Sequence, residues 1–194
     1  MELLEAIFHR RAVRSYLPRP VSAFLVQELL RAATFAPSAV NQQPWAFLVV
    51  RGRTKLAEFS ARAKAHLLAS QPGALELYRQ AEVITDPDAN LFYGAGTLVV
   101  VYGKPSPYPA AENCCLAAQN LMLAAHGAGL GTCPIGFARP WLDLTEVKEE
   151  LGVPPIYAAV MPIVVGWPAG LPGTASRLEP EIINWMKDPD DRRP

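Results

Sequence analysis

Three arginines near the N-terminus are the side chains of this sequence best suited to bind a ligand. Arg10, Arg11 and Arg14 lie within five positions of one another, directly after the stretch MELLEAIFH. A guanidinium presents a fixed fork of N–H donors that matches the oxygens of a phosphate or a carboxylate. Cations in the last turn of a helix also complement the helix dipole and lie in solvent, which is the ordinary alternative. The spacing therefore predicts either a solvated helix end or a site for a small anion.

The distribution of charge favours the small anion. The 194 residues include 18 basic and 18 acidic side chains, and the pI is near 6.8. Residues 1–62 hold nine basic against four acidic side chains, and arginine outnumbers lysine thirteen to five overall. A general binder of nucleic acid or of membrane surfaces needs an excess of positive charge. We therefore expect neither as a partner, and a helical module that binds nucleic acid through residues 10–19 is the least favoured hypothesis.

Two further segments carry groups that suit a flat heterocycle. The loop PSAVNQQPW, from Pro37 to Trp45, encloses a serine, an asparagine and two glutamines between two prolines. It displays neutral donors and acceptors, although prolines and amides also make ordinary stable turns. The segment GTCPIGF, residues 131–137, places glycines around a proline, so its backbone N–H groups can reach a ligand without obstruction. The three histidines lack metal-ligand spacing, and we expect no metal site.

Apolar periodicity predicts the elements that must position these segments. Ser22 and Asp143 are predicted N-caps, and Pro162 inside the last strand predicts an edge position or a bulge. The three glycines of GAGLG, residues 127–131, are predicted to end the long central helix. The predicted helices cover residues 3–8, 23–33, 54–69, 110–126 and 144–151, and the predicted strands cover residues 45–50, 97–102 and 156–165, with a short strand or turn over 133–136.

Helices that alternate with about four strands predict an α+β fold, with a central mixed sheet flanked by helices. Residues 1–194 form a single domain in this prediction, and the proline-rich, polar residues 166–194 form a C-terminal arm laid over a surface. Residues 71–90 are predicted to be an irregular surface segment or lid. Helices this apolar in so small a chain need a second subunit to cover them, so we expect a homodimer.

The sequence predicts a cytoplasmic protein. Three cysteines cannot form a disulfide framework, which favours a reducing compartment. The N-terminus has acidic residues where a secretory signal would be basic. The uncharged stretch Asn113–Ala138 is long enough to raise the question of a membrane span, but its glycines, amides and proline favour a buried helix that ends in a turn.

The three segments, in this order and spacing, resemble the nitroreductase family of FMN-dependent oxidoreductases. The matching pieces are IFHRRAVRSY, APSAVNQQPWAF and AAQNLMLAAHGAGLGTCPIGF, with GWP after the last strand and Arg177 in the arm. Together they cover nearly the whole chain. The resemblance implies a nitroreductase-like FMN-binding fold and an intertwined homodimer with two cofactor sites at the subunit interface.

The resemblance also implies a role for each matching residue. Arg10 and Arg11 would hold the FMN phosphate and ribityl chain, and Arg177 would close on the same phosphate. Arg14 would lie near N1 and the C2 carbonyl of the flavin. Ala12 is a further cofactor-binding position, where the family often has a serine, so one side-chain hydrogen bond is expected to be missing. The remaining contacts would come from Pro37, Ser38, Ala39 and Asn41 of the partner subunit on one side of the ring, and from Pro134, Ile135 and Gly136, with backbone donors to the N5–O4 edge, on the other.

The chemistry implied by the resemblance needs no catalytic residue from the protein. A fixed cation beside N1 stabilises the negative charge of a reduced flavin, and the flavin itself performs hydride and electron transfer. The implied function is an FMN-dependent oxidoreductase that uses NADH or NADPH to reduce a flat, electron-poor small molecule such as a nitroaromatic or a quinone. A flavin-binding carrier or sensor without nicotinamide turnover is the alternative. Ring dehydrogenation and dehalogenation stay open as other branches of the family.

Three residues of the central helix have an ordinary interpretation. Cys114 and Cys115 are predicted to be small core residues. His126 is predicted to be a satisfied residue at the helix end. Asn113 is a further candidate to reach the flavin.

Overall fold

A computed structural model describes residues 2–70, 82–170, 172–173 and 175–186. Each predicted helix and strand is present in it, with bounds that differ by a few residues. Short 3₁₀ turns cover Ala39–Asn41 and Gly136–Ala138. Part of the segment predicted to be irregular, residues 71–81, lies outside the described residues. The helices are α1 (Leu3–His9), α2 (Ala23–Thr34), α3 (Arg53–Ser70), α4 (Glu82–Thr85), α5 (Ala110–Gly127), α6 (Arg139–Leu142) and α7 (Thr145–Glu150), and the strands are β1 (Trp45–Arg51), β2 (Thr97–Gly103), β3 (Gly131–Pro134) and β4 (Ala158–Gly166).

The four strands form one sheet in the order β1-β2-β4-β3, and all three ladders are antiparallel. The N–H of Gly52 donates to the carbonyl of Gly96 at 2.9 Å, so the excursion through α3 begins and ends at the same end of the sheet. Strand β2 must then run back against β1. The prediction of a mixed sheet is therefore wrong, because all three ladders are antiparallel. Parallel pairing among the described residues is confined to an isolated bridge between Ala12 and Thr132.

The edge position predicted for Pro162 is wrong, because β4 lies between β2 and β3. The alternative prediction, a bulge, is present close by: Val101 pairs with Met161 whereas Tyr102 pairs with Ala159. The carbonyl of Pro162 accepts a hydrogen bond from the N–H of Ile135 at 2.8 Å, just beyond β3. An interior strand therefore accommodates proline beside an irregularity in its ladder.

Strand β2 is buried along its whole length because both faces of the sheet are covered by helices. Side chains of a strand point alternately to opposite faces. Leu98 and Val100 accordingly belong to the apolar cluster beneath α3 and α6, whereas Val99 and Val101 belong to the cluster beneath α2 and α5. The continuous apolar run TLVVVY is the sequence signature of a strand buried on both sides.

Of the two predicted helix caps, one is present and the other is not. Ser22 does cap α2, since its Oγ accepts the N–H of Leu25 at 3.2 Å. Asp143 does not cap α7, whose N-cap is Leu144. The Oδ1 of Asp143 instead accepts the N–H of Ala159 at 2.8 Å, which ties the loop before α7 to the start of β4.

The three glycines predicted to end the central helix have two different roles. Helix α5 ends at Gly127, and Gly129 adopts a φ of 76°, as a residue after a helix terminus commonly does. Gly131 is the first residue of β3, and a Cβ there would lie 2.6–2.9 Å from the side chain of Val13. Gly131 is therefore needed for the close approach of another segment, rather than for helix termination.

Candidate functional site

The segment that carries the N-terminal arginines runs along the outer edge of β3. The N–H of Val13 donates to the carbonyl of Thr132 at 2.9 Å, and the N–H of Leu17 donates to the carbonyl of Trp167 at 2.8 Å. Tyr16 forms an isolated bridge with Pro168. Residues 12–17 are therefore held between β3 and the chain that leaves β4, which places the start of the C-terminal arm beside the arginines.

Four of the arginines predicted to bind a cofactor line one cavity of about 310 Å³. Among the described residues, none of the four forms an ion pair with a carboxylate. Burial and the neighbouring charges of Arg11 and Arg177 lower the pKa of the Arg10 guanidinium. A cluster of cations without counter-charges is suited to an anion. The lining residues are Arg10, Arg11, Ala12, Arg14, Pro172, Gly173, Ala175 and Arg177.

A second cavity of about 320 Å³ is mostly apolar and shares Arg14 with the first. Pro134, Ile135 and Gly136, which the resemblance assigns to the ring-binding side, form part of its wall. Proline has no N–H, and the Ile135 N–H is already bonded to Pro162, so Gly136 is the backbone donor that remains in this segment. Arg14 lines both cavities, so the cationic cavity and the apolar cavity adjoin at this residue and together form the candidate site. The lining residues are Arg14, Leu67, Leu91, Tyr93, Cys133, Pro134, Ile135, Gly136, Phe137 and Pro140.

The amide-rich loop lies far from these cavities within one chain. The N–H of Ala39 donates to Oδ1 of Asn113, in the first turn of α5, at 3.3 Å. His126, in the last turn of the same helix, lines a cavity of about 350 Å³ together with Arg10 and Arg11. Thirteen positions of an α-helix span about 20 Å. One chain therefore brings together the predicted residues Arg10 to Arg14, Pro134 to Gly136 and Arg177, and does not bring Pro37, Ser38, Ala39 or Asn41 to them.

The loop is strained and largely satisfied by its own hydrogen bonds. Val40, Asn41 and Gln43 all have left-handed backbone conformations, with φ of 44°, 56° and 49°. The Oγ of Ser38 accepts the N–H of Gln43 at 2.9 Å, and Oδ1 of Asn41 accepts the Nε2 amide of the same glutamine at 3.1 Å. Val40 is nevertheless 72% exposed. Strain of this kind persists where the surrounding structure fixes it, and it is common at binding sites.

Three buried side-chain nitrogens have no hydrogen-bond partner in the described part of the chain, and all three lie in these regions. Arg11 and His126, which carry two of these nitrogens, Nε and Nε2, both line the cavity at the end of α5. Nδ2 of Asn113 lies beside the amide-rich loop. The prediction that His126 is a satisfied residue is thus wrong, because its buried Nε2 has no hydrogen-bond partner among the described residues. Buried donors are rarely left unpaired without a ligand or a partner.

Two residues of the site region were missed or misjudged from the sequence. Tyr93 lines the apolar cavity, with its ring centroid 6.0 Å from the guanidinium carbon of Arg14. The only signal for it was its place in the turn YGAG before a strand. Cys115 is exposed on α5, unlike the buried Cys114, because successive helix positions face different directions.

Comparison with known proteins places the chain in a family. The Nitroreductase family matches residues 7–167. The chain belongs to the nitroreductase family. A protein of Methanothermobacter thermautotrophicus, whose name combines NADH dehydrogenase and NAD(P)H nitroreductase, is 32% identical over 188 residues, which are 96% of this chain and 88% of that protein. The 4-nitrobenzoate reductase of Pseudomonas putida is 31% identical over 164 residues, 67% of this chain and 70% of that one. The crystal structure of a nitroreductase with bound FMN from Bacteroides fragilis superposes with a TM-score of 0.82 at 28% identity, covering 96% of this chain and all of that one.

Among the described residues, no helix combines the length and apolar character needed to cross a bilayer. In the same part of the chain, no three His, Cys, Asp or Glu side chains are grouped closely enough to hold a metal ion.

Proposed function

We propose that this protein is an FMN-dependent oxidoreductase that uses NADH or NADPH to reduce flat, electron-poor acceptors such as nitroaromatics or quinones. The observation that carries the proposal is that Arg14 lines both an apolar cavity and a cavity of four arginines, none of which pairs with a carboxylate among the described residues. Membership of the nitroreductase family and the FMN bound in the Bacteroides fragilis structure support the same conclusion.

The chemistry of the residues that line the two cavities suits FMN. A phosphate suits the cavity of Arg10, Arg11 and Arg177, where like charges lie together and the Arg11 Nε lacks a partner. A flat ring suits the apolar cavity beyond Arg14. At Gly136 an added Cβ would meet nothing within 4 Å, so the wall beside the remaining backbone donor is open.

The chain's own residues would bind and orient the cofactor. Arg10, Arg11 and Arg177 would hold the phosphate by charge-assisted hydrogen bonds. Arg14 would place a fixed positive charge at the pyrimidine edge and so favour the reduced form. Bound FMN supplies the hydride and electron transfer. The apolar lining would exclude water from one face of the ring, and Gly136 would donate its N–H to the ring edge.

We also propose that the complete site forms between two subunits of a homodimer. The amide-rich loop and the arginine cluster lie at opposite ends of α5, so an antiparallel arrangement of two copies of this helix brings the loop of one subunit to the arginines of the other. Apolar side chains stand exposed on both α1 and the arm: Phe8 is 62% exposed, Leu178 97% and Ile183 98%. Exposed apolar surface of this extent marks an interaction surface.

A mixed dimer tests the contribution of both subunits. One subunit carries Arg10→Ala with Arg177→Ala, and the other carries Ala39→Trp, which fills the space before the loop. If the site spans two chains, the mixed dimer retains one intact site and binds one FMN, whereas each parent homodimer binds none. Mixed dimers that bind no FMN would contradict the shared site. That result would mean that each site is built within one chain, so that each of the two sites carries one of the two defects.

The enzymatic part of the proposal is tested by anaerobic mixing. The protein reconstituted with FMN is expected to lose its oxidised-flavin absorbance on addition of NADH or NADPH and to regain it with a nitroaromatic or a quinone. A protein that cannot be reconstituted with FMN would contradict the proposal. A protein that binds FMN but is not reduced by either nucleotide would instead be a carrier or sensor. The cytoplasmic location predicted from the sequence stays part of this proposal.

A further inference from the structure

Tyr93 has a backbone conformation that a tyrosine rarely adopts. Its φ is 53°, and Gly94 follows with a φ of 69°. The left-handed region is unfavourable for a bulky side chain because Cβ approaches the following carbonyl. Glycine occupies this region freely, so a glycine at position 93 would make the same turn without strain. A strained aromatic residue at the wall of a cavity points to a role for the side chain itself.

Helix α3 holds the segment that leads to Tyr93. The Nζ of the buried Lys64 donates to the carbonyls of Pro87 and Ala89, at 3.1 and 2.8 Å. The Oγ of Ser60, also buried, accepts the N–H of Leu91 at 2.8 Å. The turn is closed by the Tyr93 N–H, which donates to the carbonyl of Asn90 at 2.9 Å. These contacts fix the backbone of the turn, and Tyr93 lines the apolar cavity.

The ring of Tyr93 lies beside the residue that joins the two cavities. The guanidinium carbon of Arg14 is 6.0 Å from the ring centroid, at the outer limit of a cation–π contact. In the described part of the chain no carboxylate forms an ion pair with Arg14. An arginine without a counter-charge and with several rotatable bonds needs a neighbour to hold its direction.

We propose that Tyr93 is the positioning residue for Arg14: its ring holds the guanidinium at the junction of the two cavities and thereby sets the midpoint potential of bound FMN. This inference rests on the proposed function. Tyr93 acts through Arg14, whose charge stabilises the reduced cofactor more than the oxidised one. Loss of the ring should therefore weaken the binding of reduced FMN selectively, while the phosphate contacts of Arg10, Arg11 and Arg177 keep oxidised FMN bound.

Tyr93→Gly is the informative variant, and Tyr93→Phe is its matched control. Glycine removes the ring and keeps the turn, whereas phenylalanine keeps the ring and removes only the hydroxyl. In Tyr93→Gly we expect reduced FMN to bind about three- to tenfold more weakly relative to oxidised FMN, which lowers the two-electron potential by about 15–30 mV. Tyr93→Phe should keep the potential of the wild type. The measurements are the dissociation constant of oxidised FMN by fluorescence and the potential by equilibration with a reference dye.

A double-mutant cycle separates positioning from a general structural effect. Arg14→Gln should lower the potential by itself, and adding Tyr93→Gly should then change nothing more. An unchanged potential in Tyr93→Gly, or an equal decrease with and without Arg14, would overturn the inference. The wild type serves as the separate check on the proposed function. If it binds FMN and is reduced by NADH or NADPH while Tyr93→Gly keeps its potential, only the role of Tyr93 fails.

Discussion

The two halves of the candidate site are incomplete in opposite ways. The arginine half, residues 10–14 with Arg177, is assembled within one chain but carries positive charges that no described carboxylate balances. The amide half, residues 37–44, contains no titratable side chain and bonds largely to itself, yet it stands at the far end of α5 from any cavity of the arginine half. The arginine half therefore lacks a counter-charge among the described residues. The amide half lacks contact with the rest of the candidate site within one chain.

This difference teaches what each half contributes. Cations that the fold holds close together repel one another and lower the stability of the apo protein. A bound anion removes this cost, so the arginine half is expected to determine the affinity for FMN. A rigid neutral loop changes little on binding, so the amide half is expected to shape the space around the ring. Substitutions in the two halves should therefore have different signatures in stability and in FMN affinity.

Gly131→Ala should have the widest effect, on both stability and FMN binding, because it disturbs the packing that assembles the arginine half. The new Cβ would meet three side-chain atoms of Val13 at 2.6–2.9 Å, and β3 or the arginine segment must move. Overpacking of this kind costs about 1–3 kcal/mol of unfolding free energy. Gly127→Ala is the matched control, since its Cβ would meet nothing within 4 Å. Urea denaturation and FMN titration of both variants give the comparison, and equal behaviour of the two would refute the close-approach role of Gly131.

The role of Gly131 also marks the boundary of what the sequence could predict. Helix α2 with its Ser22 cap, and the buried strand TLVVVY, follow from local spacing and were predicted correctly. The glycine's true neighbour, Val13, is distant in the sequence, and no local pattern distinguishes a helix terminator from a point of close approach. Tyr93 was missed, and the prediction for His126 was wrong, for the same reason, because their importance comes from tertiary neighbours. The arginine cluster was found through its resemblance to a family rather than through spacing alone.

Arg10→Ala should weaken FMN binding while sparing the fold. Loss of hydrogen bonds from a charged group costs about 1.5–3 kcal/mol, or roughly 10- to 150-fold in the dissociation constant. The apo protein should not lose stability, since burial and the charges of Arg11 and Arg177 already disfavour the Arg10 cation and lower its pKa. Arg31→Ala is the control, because Arg31 is exposed on α2 and pairs loosely with Glu28 at 3.9 Å. A parallel loss of stability and affinity in Arg10→Ala would mean that the cluster is structural.

Ser38→Ala should have a smaller effect that appears in both stability and affinity. It removes the acceptor of the Gln43 N–H, one of the bonds that keep the strained loop in place. A bond of this kind contributes about 1 kcal/mol. Ser22→Ala makes the same chemical change at the cap of α2, with a similar cost of about 1 kcal/mol, but far from the loop. The measurement is FMN affinity at matched stability: only Ser38→Ala should lose it, and equal losses would show that the loop does not contact the cofactor.

A change of pH should act on the arginine half alone, with the smallest effect of the four. Burial and the charges of Arg10, His9 and Arg11 lower the pKa of His126, while Glu5 raises it in part. The unfolded chain therefore binds a proton at this residue before the folded chain does, so stability falls as the pH drops below about 6.5 and the loss levels off below the folded pKa. His126→Gln should flatten this part of the pH profile of apo-protein unfolding, and an unchanged profile would assign the loss to other groups. Added FMN should reduce the loss in the wild type, because its phosphate offsets the charges of Arg10 and Arg11 that disfavour the protonated imidazole. The amide half has no group that titrates, so a pH effect that persists in His126→Gln cannot originate in residues 37–44.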